Sequence, residues 1–476
     1  MSFNEATEWK QKLVAPLKVL SKIKPGMSIF LGTGVAEPCT LVKSLLDSDA
    51  GNLRDLEFIQ LMSFGPAISI TKTQNHKFRL KTFFAGWVAS EEITSGRVDM
   101  VPTILSEIPT LIQSGVIGID AAFIQITPPD RSGFCSLGPA IDVARHAMEH
   151  ASLVVGEINH DAPRTMGDTF VHINDFDFLV ESEELPIYFE RPPFDPVFDK
   201  VGANVASLIE DGSCLAFSAG PVFEALARHL QNKRHLGIHS PSFTDAVMDL
   251  VKSGAVSNRK KGHFLGKSLT SYAIGTPELL YWLHRNPLIE FQSIDVVADP
   301  KRIGRNDRTV VVLPVRKVDL SGGVALHSGK GNVGDGPSEA QEFLKGARFS
   351  KKGRTIIALP SRNLRNHSNI LISLEDYPNQ FSIRESLDLV VTEYGVASMT
   401  GRTIRERALA LIDIAHPDDR AQLVHLAKEK NILYADQLYL PESGALYPMD
   451  LACEKIFSGD ITVRFRAIKP SDVDEM

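Results

Sequence analysis

Two stretches of this chain carry the same order of events, and that recurrence limits the folds open to it. In Gly26-Met-Ser-Ile-Phe-Leu-Gly-Thr-Gly-Val-Ala-Glu-Pro38, an apolar strand over residues 28–31 runs into a glycine turn, then into a helix starting near Pro38. Gly212-Ser-Cys-Leu-Ala-Phe-Ser-Ala-Gly-Pro-Val-Phe-Glu224 aligns with it without a gap, matching Gly26 to Gly212, Ile29 to Leu215 and Gly34 to Gly220. Each block is followed by a further apolar strand, over residues 56–61 and 236–239. Recurrence of this kind points to a repeated supersecondary unit. Two unrelated strand–turn–helix units are the alternative.

Between and after these blocks the pattern alternates. Residues 121–126 and 151–155 read as strands, with a helix over 140–150 between them. Residues 354–359 and 387–391 read as strands in the second half. Alternation predicts an α/β fold of two similar open domains, with mainly parallel sheets and helices on both faces. The proline-rich, acidic stretch 181–196 predicts the link, placing the domains at 1–190 and 197–476. Residues 4–23 read as an amphipathic leading helix with Trp9, Leu13, Leu17 and Leu20 on one side. A helix over 201–208 opens the second half, and residues 298–337 read as loop-rich. Thr403 with Glu406 predicts a capping box for the helix running through Ile412.

Composition excludes several classes. With 43% hydrophobic and 23% charged residues in a chain of 476, the expectation is a globular protein with a large core. A net charge of −7 argues against nucleic-acid binding, which calls for a basic surface. No apolar run is long enough to span a bilayer, so no membrane role is expected. The start, MSFNEATEWKQKL, is polar and mixed in charge, unlike a signal peptide, and predicts a cytoplasmic protein. The four cysteines (Cys39, Cys135, Cys214, Cys453) lack metal-type spacing and read as buried, reduced thiols. The 14 histidines show no H-E-x-x-H spacing, so no catalytic metal is expected.

The chemistry concentrates in residues 236–262, LGIHSPSFTDAVMDLVKSGAVSNRKKG. Residues 236–239 read as a strand end. Ser240 is predicted to cap a helix with Pro241 at its first position. Phe243, Ala246, Val247, Leu250 and Val251 share one helical face, and Gly254 supplies the stop. Open α/β sheets place reacting groups at such strand-to-helix turns. His239, Ser240, Ser242 and Asp245 gather there. A His239–Asp245 pair could serve as a general base. Turn geometry and capping is the alternative reading of the same residues. Ser242 lacks the G-x-S-x-G surroundings of a nucleophile elbow.

Taken with Ser106-Glu-Ile-Pro109, Ser132-Gly-Phe-Cys-Ser-Leu-Gly138, Asn159-His-Asp-Ala-Pro-Arg-Thr-Met-Gly-Asp168, Gly346-Ala-Arg-Phe-Ser350, Ile356-Ile-Ala-Leu-Pro-Ser361, Val390-Val-Thr-Glu-Tyr-Gly-Val396 and Ile414-Ala-His-Pro-Asp418, this turn resembles the acetyl-CoA hydrolase/transferase family. That family is the long-chain branch of the glutamate-dependent CoA-transferases, including those acting on 4-hydroxybutyrate. Its turn reads G-[IV]-H-[ST]-E-M-x-[ST]-D-G, and this chain keeps Gly237, Ile238, His239, Ser240, Thr244 and Asp245.

The resemblance implies an enzyme that moves coenzyme A between an acyl-CoA and a carboxylic acid. In the family a glutamate attacks the thioester, and a glutamyl-CoA thioester forms on the way. Glycine-rich turns hold the developing oxyanion. It also implies coenzyme A as substrate and a homo-oligomer, a dimer. This chain departs from the pattern at three places. Pro241 occupies the nucleophile's position, and Ser218-Ala-Gly-Pro-Val-Phe223 has lost a glycine and a proline of the family turn. Ser338 and Glu339 stand where a loop has two glycines.

The candidate catalytic residues are therefore Glu393, His239, Asp245 and Glu339. Glu393 ends a buried strand and matches a glutamate near the family's active site; a structural hydrogen-bond anchor is the alternative. Glu339 could supply a carboxylate from the opposite wall, or be an exposed loop charge. Gly220, Gly334, Gly336, Ser338 and Gly395 are the candidates for holding coenzyme A or the oxyanion. Lys330 and Arg302 are candidates for its phosphates. Thioester hydrolysis without a glutamyl intermediate, and a catalytically silent acyl-CoA binder or partner subunit, are the alternative functions.

Overall fold

The computed structural model describes residues 5–62, 64–69, 77–83, 93, 95–326, 338–377, 380–381, 383–439, 453–456 and 461–465. Its first domain is built on a seven-stranded sheet in the order Val98–Met100, Phe78–Thr82, Leu56–Gln60, Ser28–Leu31, Ala121–Ile126, Leu153–Ile158, Phe178–Glu181. Every pairing in it is parallel. The second domain carries a six-stranded sheet in the order Gly237–Ile238, Cys214–Ala216, Thr309–Pro314, Arg354–Ala358, Leu389–Thr392, Gly395–Ser398. Only its last strand is antiparallel.

The two sheets share a plan. Ser28–Leu31 lies between the strand that follows it, Leu56–Gln60, and the later strand Ala121–Ile126. Cys214–Ala216 likewise lies between Gly237–Ile238 and Thr309–Pro314. The recurrence seen in the sequence is thus a recurrence of strand order. Long crossovers are what parallel neighbours require, since a short hairpin cannot join them.

Side-chain alternation divides the core. Ile29 and Leu31 pack into one cluster with Phe58 and Phe123 on one face of the first sheet. Phe30 points the other way, as a period of two demands. It joins a cluster that continues through Ile124 into Leu215, Val310 and Ile356 of the second sheet. The domains therefore share apolar packing rather than touching through polar surfaces alone.

Several local expectations need correcting. The leading segment is not one helix: a 3-10 turn, Glu5–Lys12, and a short α-helix, Pro16–Leu20, are separated at Leu13–Val14. There Leu13 bridges to Leu179 and the Val14 N–H bonds its carbonyl, so sheet pairing overrides helical periodicity, and Leu17 is left exposed. The helix expected over 140–150 is only Ala144–His150, because Ala140 pairs with Tyr272 across the domain junction. Within the region read as loop-rich, residues 298–326 hold short elements: Thr309–Pro314 lies at the heart of the second sheet, and Lys317–Asp319 and Val324–Ala325 join a four-stranded sheet with Ile370–Leu371 and Gln380–Phe381. Residues 327–337 lie outside the described residues. The helix opening the second half is longer than expected, Pro196–Ser207, capped by Asp195. The Thr403–Glu406 capping box is present on the helix Ile404–Asp413.

Candidate active site

The carboxyl ends of the second sheet's parallel strands open into one large cleft of about 1670 Å³. Met62 and Phe64 of the first domain line it, as do Phe189 to Pro192 of the link. The remaining wall comes from the turns after the strands: Phe217 to Gly220, Pro241 and Ser242, Pro314 to Lys317, Pro360 with 362–369, and Glu393 with Tyr394. This is where an open α/β sheet binds ligands.

The turn at Pro241 is built differently from the sequence expectation. Ser240 does not cap a helix and Pro241 does not begin one. Ser242–Phe243 form a short strand paired with Tyr272–Ala273, and the helix starts only at Asp245. Ser240 Oγ instead accepts from Phe217 N at 3.0 Å and donates to Phe217 O. Ser242 Oγ donates to the same carbonyl at 3.1 Å. The Pro241 carbonyl accepts from Ser271 N, Tyr272 N and Thr270 Oγ1 at 3.0–3.1 Å. Tertiary pairing has taken the polar groups that a local cap would have used. Gly254, at φ +81°, does end the helix Asp245–Lys252 as expected.

His239 and Asp245 do not form a pair. His239 is buried behind the turn. Its Nε2 lies 2.8 Å from the Val297 carbonyl, and Asn306 Nδ2 lies 3.0 Å from its Nδ1. Those contacts fix the tautomer that carries its proton on Nε2 and accepts from Asn306. Burial, with Lys261 nearby, pushes its pKa down to about 3, so the ring is neutral. Asp245 does face the cleft, but its carboxylate accepts from Thr276 Oγ1 at 2.5 Å and Thr276 N at 3.1 Å.

Glu393 directly follows the buried strand Leu389–Thr392, as expected, in the two-residue turn that leads to Gly395–Ser398. It accepts from Ser361 N at 2.8 Å and Ser361 Oγ at 2.6 Å, tying two cleft turns together. Gly395 closes the hairpin at φ +144°, a value that favours glycine. Gly220 faces the cleft at φ +140° and precedes the helix Pro221–Leu230. Among the described residues, the backbone N–H groups of Ser218, Ala219 and Gly220 have no hydrogen-bond acceptor. They are donors available to an oxyanion. Gly334, Gly336 and Lys330 lie outside the described residues. Ser338 and Glu339 begin the helix Ser338–Phe349. Arg302 sits on the short helix Pro300–Ile303, 3.5 Å from Asp299. Among the described residues no group of three or more His, Cys, Asp or Glu is placed to hold a metal ion.

Sequence reasoning missed several residues that line the cleft. Arg362 bonds Asp419 through two nitrogens at 2.6 and 2.9 Å, and His416 packs edge-on against Tyr394. Arg191, from the link, holds Glu224, whose pKa burial raises. Tyr394 and His416 both sit inside segments that carried the resemblance, and Arg362 directly follows one. Their spacing along the chain gave no sign that they meet.

A sequence profile for the acetyl-CoA hydrolase/transferase N-terminal domain matches residues 2–189, and one for the C-terminal domain of the same family matches 275–427. The segment between the two matches holds the Pro241 turn. The chain is 36% identical over 423 residues to the 4-hydroxybutyrate coenzyme A transferase of Clostridium kluyveri, covering 89% of this chain and 98% of that one. The crystal structure of RipA from Yersinia pestis superposes with a TM-score of 0.84 at 28% identity, covering 91% of this chain and all of that one. The 4-hydroxybutyrate CoA-transferase of Porphyromonas gingivalis gives a TM-score of 0.72 at 30% identity, covering 89% and 98%. With both halves matched in order and the shared strand plan beneath them, this chain belongs to the acetyl-CoA hydrolase/transferase family.

Proposed function

We propose that this protein moves coenzyme A between an acyl-CoA and a small carboxylic acid, with the thioester held against the Pro241 turn. The observation that carries the reading is the cleft itself. It opens at the carboxyl ends of the second sheet, and the free N–H groups of Ser218 to Gly220 stand on the same wall as Pro241. Two named transferases of 4-hydroxybutyrate, similar along nearly their whole length, support it.

Pro241 has no nucleophilic atom. Of the five carboxylates among the described residues that line the cleft, four are engaged: Glu224 with Arg191, Asp245 with Thr276, Glu393 with Ser361, Asp195 with the N–H groups of its helix; the fifth, Glu190, is exposed to solvent and stands before the second sheet in the chain, away from the Pro241 turn in sequence. The transfer therefore runs through the acceptor acid. Its carboxylate oxygen bonds the thioester carbon, the C–S bond breaks, and CoA leaves as thiolate. The mixed anhydride is then attacked by that thiolate at the acceptor's carbonyl carbon. The donor departs as carboxylate, and no proton or electron is left over. Such a site must hold both substrates at once.

Initial-rate kinetics with varied acyl-CoA and acid should give intersecting lines. Parallel lines, with a CoA thioester trapped on the protein by borohydride, would show an enzyme nucleophile and overturn the mechanism. A second reading, hydrolysis, is favoured by the same missing nucleophile, since water can take the acceptor's place. Free thiol released from acyl-CoA with no acid present would support it.

A further inference from the structure

We propose that Glu342 is a proton-responsive latch between the two domains: from the helix Ser338–Phe349 it holds the Ser106 turn of the first domain, and losing its proton loosens the wall that this helix gives the cleft. The helix presents two faces. Ala340 and Phe343, three residues apart, line the cleft. Phe343 also meets His239 edge-on, with 6.1 Å between ring centres, behind the Pro241 turn. Adjacent residues on a helix do not share a face. Glu342 accordingly turns to the 3-10 turn Leu105–Glu107, where its Oε1 accepts from Ser106 N at 3.1 Å. One helix thus carries both a cleft wall and a bond to the other domain.

The carboxylate is held at an electrostatic cost. Glu342 is 2% exposed, and its Oε2 has no hydrogen-bond partner among the described residues. A carboxylate so placed favours its neutral form. Burial raises its pKa to about 7, donors at Ser106 and Leu105 offset only part of that, and Glu107 adds a like charge from the same turn. Among the described side chains, the other charged groups on and around the helix are exposed or paired. Lys345 and Arg348 on the helix are exposed, and Arg348 donates to the Glu385 carbonyl at 2.7 Å. Pro300–Ile303 meets the helix one turn further on, at Gly346, with Lys301 exposed and Arg302 paired to Asp299. The strand Arg354–Ala358 brings Arg354, which pairs with Glu210 at 3.6 Å.

The folded-state pKa of about 7 lies above the ordinary 4.5. The latch is therefore strongest below pH 4.5, where Glu342 is neutral in any state, and it weakens as pH rises through 7.

Hydrogen exchange on the full chain without ligand tests this, followed at the amides of residues 342–346. The rate in the unaltered protein is divided by that in Glu342→Gln at each pH, which cancels the intrinsic pH dependence. Glutamine keeps an acceptor for Ser106 N but cannot ionise. The ratio should rise about tenfold between pH 5 and pH 7 and level off above it. A ratio that stays flat would overturn the latch. If Glu342→Gln does not fold, Glu107→Gln decides. Removing that like charge lets Glu342 ionise more easily in place, so the same ratio taken against Glu107→Gln should exceed unity above pH 6. A ratio of unity throughout would overturn the latch. In turnover, the KM for acyl-CoA should rise over the same span in the unaltered protein and stay level in Glu342→Gln. A KM profile common to both would overturn the link to the cleft wall. That arm alone rests on the acyl-CoA reading above: absence of turnover in the unaltered protein would fail that reading, and the exchange ratios would still decide the latch.

Discussion

At Pro241 the residue's chemistry and its surroundings can be separated. Its carbonyl is held by three donors, while its nitrogen takes no part in any described hydrogen bond. Pro241→Glu should therefore keep the turn and add a nucleophile facing the cleft. After incubation with acyl-CoA, the variant should retain CoA covalently, seen as a mass increase, and the unaltered protein should not. Glu393 reports on a different role. Glu393→Ala leaves Ser361 Oγ and N without their acceptor and should cost about 1.5–3 kcal/mol of stability, read from the urea midpoint. His239 predicts a pH dependence. Its pKa is about 3 in the folded protein, against 6.5 for an unperturbed histidine. The unfolded chain thus binds the extra proton between those values, and stability falls as pH drops through that window. The loss should be about 2 kcal/mol by pH 5. His239→Gln should flatten that slope, and comparing the two urea midpoints across pH 4–7 isolates it from other groups.

At the scale of elements, the Pro241 turn is braced by a helix far along the chain. Thr276 caps the helix Pro277–Leu283 by accepting from Leu279 N at 3.3 Å, while donating to Asp245. Thr276→Ala removes both functions and should destabilise by about 1–2 kcal/mol, read from the same denaturant midpoint. It also leaves the Asp245 carboxylate with one fewer donor at the cleft wall. The same scale shows what was legible in the sequence. Strands 28–31 and 121–126 match their expected bounds, because they are apolar runs between clear breakers. The helix expected from Ser240 failed because Ser242–Phe243 found a strand partner at Tyr272–Ala273. The local signal for a cap was sound, but a non-local ladder used the same groups. Thr309–Pro314 was missed although Thr-Val-Val-Val-Leu-Pro is a strong strand pattern, because its flanks are turn-rich.

For the whole molecule, the two sheets share apolar packing, and the cleft draws on the first domain, the link and the second. Ligand bound there should stabilise the assembly as a unit. At a hundredfold excess over Kd, CoA should add about 2.7 kcal/mol, seen as a raised Tm even where no turnover occurs. No change in Tm at saturating CoA would contradict a cleft that binds it.

The sequence by itself determined the α/β class, the repeated strand order, the segments that mark the family and the lack of a nucleophile at 241. These are properties of periodicity, turn residues and residue identity, which need no partner distant in the chain. Only the tertiary structure decided that His239 is a buried neutral anchor, that Glu393 ties two turns, and that 362–369 line the cleft. Those facts depend on which carboxyl ends of parallel strands lie side by side. Pairing across long crossovers fixes that, and no local pattern encodes it.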